Sequence, residues 1–351
     1  MKRFIYLIIL LLPLVNGCTK TDSSPTLEKF DRYIFFSQGV ETKASLIENK
    51  ANLDGQTFGV VGFKYDNTSS WDAVKTSATP NVFRDATGNL VETEMLTCSA
   101  DGTATYAPIQ GWLNTKKFSF FAYYPFENQN VTLVNLDGTP YTGGTPAIKY
   151  TMNPNSFQSS MVDVMTAPGQ TDKYWISSSD NNTNNSDIRF QFAHCLACLG
   201  LNVKNSSSGE ITIKSVTLVV DGIKYTSVTI PLDASVSETY AGPGRDYEGL
   251  YLMLKDTEKT VTETGKEISD KLIFIPQSEP ISIVRLLITF QRKYGEVVKP
   301  EETFITQTPI TTNLEKGKKH ILYVNFMELN TYVMLKSGNW DDGPNVNHEF
   351  N

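Results

Sequence analysis

The chain has 351 residues, of which 40% are hydrophobic and 20% are charged, and its formal net charge is -7 at pH 7. It is long enough for two ordinary domains, and its acidic balance argues against a nucleic-acid partner, which requires a basic surface. Thr, Ser, Asn and Gly are plentiful, whereas the Ala, Leu and Glu periodicity of helices is scarce. We therefore expect a mainly β fold.

The N-terminus has the features of an export signal that ends in a lipobox. A basic start is followed by the apolar run Phe4 to Leu12, which is too short to span a bilayer, and then by a small residue directly before Cys18. We expect residues 1–17 to be a lipoprotein signal peptide, Cys18 to carry the lipid, and residues 18–30 to form a polar tether. The alternative is a plain signal peptide with a chance cysteine.

The strand candidates of the first half are apolar or aromatic runs. They begin with Tyr33 to Phe36 and Thr57 to Tyr65. The densest aromatic run outside the signal region is Lys117 to Tyr124, which carries aromatic residues on both faces at a period of two. This pattern predicts a strand covered on both sides. Since Pro125 has no N–H to donate to a ladder, the strand should end there.

A polar linker separates these candidates from those of the second half. The run Ser177 to Asp187 consists almost wholly of Ser, Asn, Asp and Thr, and we place a domain boundary there. An N-terminal β-sandwich is then expected over 31–180 and a C-terminal β-sandwich over 187–351, since strand and turn signals recur at short spacing. In the second half we expect one long strand over 188–203 and a hairpin turned at Asp221-Gly222.

Three cysteines remain in the body of the chain, and three cannot all pair within one chain. Cys195 and Cys198 have the spacing of a redox or metal pair, but positions three apart on a strand face opposite sides. We therefore expect them, and Cys98, to be small buried apolar residues. His194 lies in the same apolar run and is expected to be a hydrogen-bonded core residue.

No motif for catalysis or phosphate binding is apparent, since HExxH, GxSxG and P-loop patterns are all missing from the sequence. Asp341-Asp342-Gly343 lacks the ligand spacing of a calcium loop and is interpreted as a turn. We therefore expect no enzyme, no catalytic residue, no metal site and no cofactor. Trp71 and Trp175 adjoin polar loops and are the better candidates for stacking on sugars, although packing is the default role of tryptophan.

Several motifs follow one another in a distinctive order. After the lipobox come Phe58 to Phe63, Trp112 with Phe118 to Pro125, Asp163-Val164-Met165, the run centred on His194, a late Gly317-Lys318, and Trp340 to Gly343. This order resembles the fimbrillin-like, or major-fimbrial-subunit-like, proteins of Bacteroidetes. The resemblance implies an all-β fold of two tandem transthyretin-like β-sandwich domains. It also implies a lipid-anchored fimbrial (pilus) subunit or adhesin at the outer membrane and cell surface.

The resemblance further implies assembly by strand exchange. A protease would remove the lipid-bearing segment after Arg or Lys, and the opened groove would take a strand from the next subunit. The candidate bonds follow Lys29, Arg32 and Lys43, and we favour Arg32 because it directly precedes Tyr33-Ile34-Phe35-Phe36. The candidate donor strand is Tyr332-Val333-Met334-Leu335. Expected partners are other fimbrial subunits, in a homo- or heteropolymer, the outer membrane, and host or bacterial surface glycans or proteins.

Other functions stay open at this point. Residues 33–36 and 332–335 could be ordinary strands of an anchored monomer. The chain could instead be a surface glycan-binding lipoprotein for polysaccharide capture, with Trp71 and Trp175 on a flat platform. A secreted hydrolase is disfavoured by the missing motifs. An apolar groove covered only by residues 33–36 or by the tail favours fimbriae, whereas an exposed aromatic platform favours glycan binding.

Overall fold

The computed structural model of the chain describes the following residues: 32–40, 54–99, 101–153, 161–175, 188–242, 250–254, 259–261 and 266–339. Almost all of their regular structure is β, which confirms the predicted all-β class. The described residues contain a single short helix, α1 (Trp71–Val74). No helix among them is long and apolar enough to cross a membrane.

Twelve strands lie in the first part of the chain, up to residue 194. They are β1 (Arg32–Tyr33), β2 (Phe36–Val40), β3 (Thr57–Asp66), β4 (Glu94–Cys98), β5 (Thr103–Thr105), β6 (Gly111–Trp112), β7 (Lys116–Tyr124), β8 (Val131–Val134), β9 (Ala147–Thr151), β10 (Met165–Thr166), β11 (Gln170–Lys173) and β12 (Arg189–His194).

Twelve more strands follow in the second part. They are β13 (Ala197–Asn205), β14 (Glu210–Asp221), β15 (Ser227–Pro231), β16 (Thr239–Ala241), β17 (Leu250–Leu254), β18 (Lys259–Val261), β19 (Lys266–Phe274), β20 (Ile281–Tyr294), β21 (Val297–Ile305), β22 (Ile310–Thr312), β23 (Lys318–Phe326) and β24 (Thr331–Asn339).

The first part of the chain is built on an eight-stranded sheet with the order β10-β12-β2-β5-β4-β3-β7-β11. Strand β10 also pairs with β7, so the ladder closes on itself through β10. Strand β7 behaves as its aromatic pattern predicts, because both of its faces are buried and it ends at Tyr124, directly before Pro125. Phe118 and Phe120 face one core, while Phe121 and Tyr123 face another.

Two hydrophobic cores result from this arrangement. The smaller, which we call the N-terminal core, lies on one face of the eight-stranded sheet and includes Ile34, Phe36, Phe120 and Phe190. The larger, which we call the main core, runs without a break from Val61 and Trp71 to residues such as Phe290 and Phe326. Apolar packing therefore continues from the first part of the chain into the second.

Besides the two-stranded sheet of β1 and β6, three further sheets complete the fold. A four-stranded sheet has the order β19-β13-β23-β24, and a six-stranded sheet joins β17, β14, β20 and β21 with β18 and β22 at its sides. The third, with the order β16-β15-β9-β8, takes two strands from before the linker at 177–187 and two from after it. Strand β12 also follows the linker, yet it pairs within the eight-stranded sheet. The division into two domains at this linker stays a prediction.

Two local predictions are wrong. The expected single strand over 188–203 is two strands, β12 and β13, which Cys195 and Leu196 separate and which belong to different sheets. The expected hairpin at Asp221-Gly222 does not form. The turn exists, with Gly222 at φ +87°, but β15 pairs with β9 and β16 instead of returning along β14. In both places pairing with distant strands decided the outcome.

Candidate functional site

The segment 32–40 joins a two-stranded sheet through β1 and the interior of the eight-stranded sheet through β2. In β1, Arg32 and Tyr33 pair with Trp112 and Gly111 of β6. Strand β2 then lies between β12, to which it is parallel, and β5, to which it is antiparallel. A strand from the N-terminal end of the described chain therefore fills a position with a neighbour on each side.

The side chains of residues 33–36 alternate between solvent and core. Ile34 and Phe36 are 0% and 3% exposed in the N-terminal core, whereas Tyr33 and Phe35 are 55% and 61% exposed. This alternation is what the period of two requires of a strand with one buried face. The Phe36 ring is the hub of the core, and it contacts four other aromatic rings with centroids 5.2–6.2 Å away: Phe83, Tyr106, Phe120 and Phe190.

Hydrogen bonds fix the segment between its two strands. The Ile34 N–H donates to the Gln110 carbonyl at 2.9 Å, and the Tyr106 hydroxyl donates to the Ile34 carbonyl at 3.0 Å. Further along, the Ser37 N–H donates to the Ile188 carbonyl at 3.0 Å. Without residues 32–40, the facing groups of β5 and β12 would lose their partners along an apolar groove. Unpaired ladder groups beside apolar pockets form a template for another strand.

Strand β24 has the opposite setting, since it is the last strand of the order β19-β13-β23-β24. It pairs with β23 over nine residues, from Thr331 opposite Phe326 to Asn339 opposite Lys318. Val333 and Leu335 pack against the main core, but they are only partly buried. In the turn before β24, Leu329 is 92% exposed, an unusual environment for a large aliphatic side chain.

These two segments have similar patterns of apolar residues. Tyr33-Ile34-Phe35-Phe36-Ser37-Gln38-Gly39 aligns without a gap on Tyr332-Val333-Met334-Leu335-Lys336-Ser337-Gly338. The first Tyr and the last Gly are identical. Val333 and Leu335 take the places of the buried Ile34 and Phe36, and they are also the two side chains of β24 that face the main core. The sequence predicts 33–36 and 332–335 as exchange strands without revealing that they align with each other. An alignment of the chain with itself would have found this similarity.

Comparison with known proteins gives these strands a context. The model of the family described as fimbrillin-like matches residues 42–340. The chain belongs to the fimbrillin-like family. Fimbrium subunit Fim1C of Phocaeicola vulgatus is 27% identical over 177 residues, which are 48% of this chain and 40% of that protein. The match therefore spans less than half the length of this curated relative.

Solved structures show the same fold at low sequence identity. A fimbrial protein from Bacteroides vulgatus ATCC 8482 is similar with a TM-score of 0.56 and 15% identity, over 88% of this chain and 100% of that chain. A candidate cell adhesion protein from Bacteroides ovatus ATCC 8483 has a TM-score of 0.50 and 15% identity, over 89% and 98% of the two chains. The fold of the fimbrillin-like chain is thus shared along nearly its whole described length.

The residues predicted for lipidation and processing fall in different places. Arg32 lies in β1, where its backbone pairs with Trp112. Cys18, Lys29 and Lys43 lie outside the described residues, as do the signal peptide, the tether and Trp340 to Gly343. Their predicted roles stay predictions.

The prediction that Trp71 stacks on sugars is wrong. Trp71 is only 3% exposed, and its ring centroid lies 4.8 Å from both Phe63 and Phe121. Its indole N–H donates to Asp233 Oδ2 at 3.2 Å, so the polar group is satisfied inside the protein. Trp175 is half-buried and packs against the N-terminal core, whereas Trp71 belongs to the main core. The two rings therefore form no common platform.

The buried thiols and His194 have the environments that the sequence predicts. Cys98, Cys195 and Cys198 are buried, and burial raises the pKa of Cys98 to about 12 and that of Cys195 to about 11. His194 is 3% exposed, and its Nδ1 lies 2.8 Å from Asp163 Oδ1, which confirms a hydrogen-bonded core histidine. Within the described residues, no cluster of His, Cys, Asp and Glu could hold a metal ion.

Proposed function

We propose that this fimbrillin-like chain is a subunit of a cell-surface fimbrium that assembles by strand exchange between copies and takes part in adhesion. One observation carries the proposal: β2 fills an interior position of a sheet, and the segment 33–39 that leads into it aligns without a gap on residues 332–338, which lie at a sheet edge. Family membership and the match to a fimbrium subunit support the same function. The proposal includes two tandem transthyretin-like domains, divided near residues 177–187.

Lys43 is the best of the three candidate cleavage positions. Cleavage after Lys29 would leave the whole of 32–40 attached to the body, and cleavage after Arg32 would leave β2 attached through residue 41. The bond after Arg32 also lies within β1, whose backbone is hydrogen-bonded to β6. Only cleavage after Lys43 separates both β1 and β2 from the rest of the chain. Cleavage is therefore proposed after Lys43 and not after Arg32, the position that the sequence alone favours.

The donor strand suits the groove on three counts. Its backbone would restore the hydrogen bonds that β5 and β12 lose when β2 leaves, which is the main source of affinity in β-augmentation. Val333 and Leu335 are apolar and smaller than, or similar to, the Ile34 and Phe36 that they would replace, so they enter without overpacking. Val333 and Leu335 would also be more completely buried in the groove than at the edge, where both are half-exposed.

Proteolysis of the purified full-length chain tests the proposal. A lysine-specific protease should cut after Lys43 and produce SDS-resistant ladders on unheated gels, with N-terminal sequencing to locate the cut. Lys43→Gln combined with Lys50→Gln, which removes both lysines between β2 and β3, should prevent both the release of residues 32–40 and the ladders, whereas Lys29→Gln, the matched control, should leave both unchanged. Complete loss of the segment from a chain that remains folded and monomeric would refute strand exchange.

Attachment to the outer membrane through lipid on Cys18 is a separate part of the proposal. It is supported by the lipobox-like sequence before this residue. Cys18→Ala should abolish incorporation of a labelled fatty acid in the cell. Labelling that survives this substitution would contradict a lipid at this position.

A further inference from the structure

A cleft of about 570 Å³ lies where the eight-stranded sheet meets the sheet formed by β16, β15, β9 and β8. Thr166 of β10 and Ala193 of β12 line one side, and Ile230 of β15 lines the other. The loop between β15 and β16 supplies Ser235 and Glu238. The volume falls within the range of small-ligand sites, roughly 300–1,000 Å³. None of the residues that line the cleft belongs to either proposed exchange strand.

Its polar groups form a connected set. Glu238 accepts a hydrogen bond from the Tyr240 hydroxyl through one carboxylate oxygen, and an ion pair from the Lys316 ammonium through the other. The Glu238 side chain is 14% exposed, whereas that of Lys316 is 47% exposed. Lys316 lies in the turn before β23, so the pair connects separate sheets and holds both groups at the cleft.

The set has unused hydrogen-bonding capacity of both kinds. A carboxylate offers about four lone-pair positions, and Tyr240 and Lys316 use one each. An ammonium has three N–H donors, and the contact to Glu238 uses one. Neighbouring acceptors and donors of this kind suit adjacent hydroxyl groups, because each hydroxyl both donates and accepts. The Ser235 hydroxyl, whose proton is donated to Asp233 Oδ1 at 2.7 Å, adds only an acceptor at the same cleft.

The charges and the apolar lining narrow the ligand class. Among the described residues of the lining, only Glu238 and Lys316 are charged, and they neutralise each other. An anionic or cationic ligand would have to compete with this existing pair, whereas an uncharged one need not. Ile230, Leu232 and Pro168 supply apolar surface for the C–H groups of a ring.

We propose that this cleft binds a short uncharged saccharide. The inference is independent of strand exchange, because no residue of 32–40 or 331–339 lines the cleft. It also differs from the aromatic platform expected from the sequence, since neither Trp71 nor Trp175 takes part.

Saturation-transfer NMR on the full-length protein, with lactose, maltose and cellobiose as uncharged probes and 3′-sialyllactose as an acidic probe, tests the proposal. At least one neutral disaccharide should bind, with a Kd on the order of 1 mM. Lys316→Met should weaken this binding at least tenfold, because it keeps the aliphatic length and removes the donors. Ala234→Phe should do the same by filling the cleft while leaving every polar group in place.

Lys224→Met is the matched control, because Lys224 forms a comparable pair with Glu279 and does not line the cleft. This variant should bind the neutral probe as the unsubstituted protein does. Thermal unfolding would show that each variant is folded. The proposal would be overturned if none of the three neutral disaccharides bound, or if 3′-sialyllactose bound more tightly than they do. It would also be overturned if both cleft variants bound the neutral probe as tightly as the unsubstituted protein.

Discussion

Strands β2 and β24 carry matching residues in contrasting settings. Phe36 at the start of the interior strand and Ile34 just before it are almost completely buried, whereas the edge strand leaves Val333 and Leu335 only partly covered. The interior strand also has a hydrogen-bonding neighbour on each side, and the edge strand has one in the described part of the chain. The same pattern of apolar residues is thus better satisfied in the groove than at the edge.

This difference indicates a direction for exchange. A donor strand that moves from an edge into a vacant interior position gains apolar burial and a second set of backbone hydrogen bonds. The uncut chain gains nothing from exchange, because its own β2 already occupies the groove and is covalently attached. Cleavage would therefore act as the step that makes the interior position available.

The sharpest test of this comparison is the register of the exchanged strand. If residue 332 takes the place of residue 33, Lys336 takes the place of Ser37 and lies opposite Thr103 of β5. The variant Thr103→Cys with Lys336→Cys should form a disulfide between copies after cleavage and mild oxidation, since paired strand residues are close enough for one. The measurement is a covalent ladder on non-reducing gels that disappears on reducing gels.

A one-residue shift provides the control for this register. Thr103→Cys with Ser337→Cys should form no such disulfide, because neighbouring residues on a strand face opposite sides. The native cysteines in the described body of the chain are buried, which limits side reactions. Efficient trapping by the shifted pair alone would contradict the alignment of 33–39 with 332–338.

Matched truncations measure the two settings directly. Phe36→Ala should lower the free energy of unfolding of the uncut chain by about 3–5 kcal/mol, because it empties the centre of an aromatic cluster. Leu335→Ala should cost only about 1–2 kcal/mol in the same chain, since Leu335 is half-buried at an edge. Urea unfolding of the uncut protein gives both values. If the two substitutions lowered the free energy of unfolding equally, the energetic basis for exchange would be removed.

Part of this architecture follows from local sequence. The aromatic residues on both faces of β7 and the stop at Pro125 come from periodicity and proline chemistry, and both are confirmed. The buried cysteines and His194 are predictable for a similar reason, because their apolar neighbours indicate a covered strand. Local signals of this kind succeed where a residue and its chain neighbours decide the environment.

Other features depend on residues far apart in the chain. The apolar run 188–203 does not show that it changes sheets at Cys195 and Leu196. The polar neighbours of Trp71 do not show that Asp233 accepts a hydrogen bond from its indole. The cleft at Glu238 and Lys316 likewise needs three sheets to meet. Long-range pairing creates these features, so windows of local sequence cannot contain them.

The smallest expected effect concerns Glu94 in β4, two strands away from β2 in the eight-stranded sheet. Burial raises the pKa of Glu94 from its ordinary value of 4.5 to about 7. The folded state therefore favours the protonated form. The stability contributed by this proton is fully present below about pH 4.5 and is lost as the pH rises through about 7.

Glu94→Gln should remove this loss, because the amide is uncharged at every pH. At pH 8 the variant should be more stable than the unsubstituted chain by about 1 kcal/mol or less, since the side chain is only partly buried and solvent screens its charge. Urea unfolding at pH 5 and pH 8 measures the change, with the exposed Glu301→Gln as control. If the free energy of unfolding of Glu94→Gln falls between pH 5 and pH 8 as much as that of the unsubstituted chain, another group is responsible. A reduced decline would identify β4 as a pH-sensitive part of the sheet that holds β2.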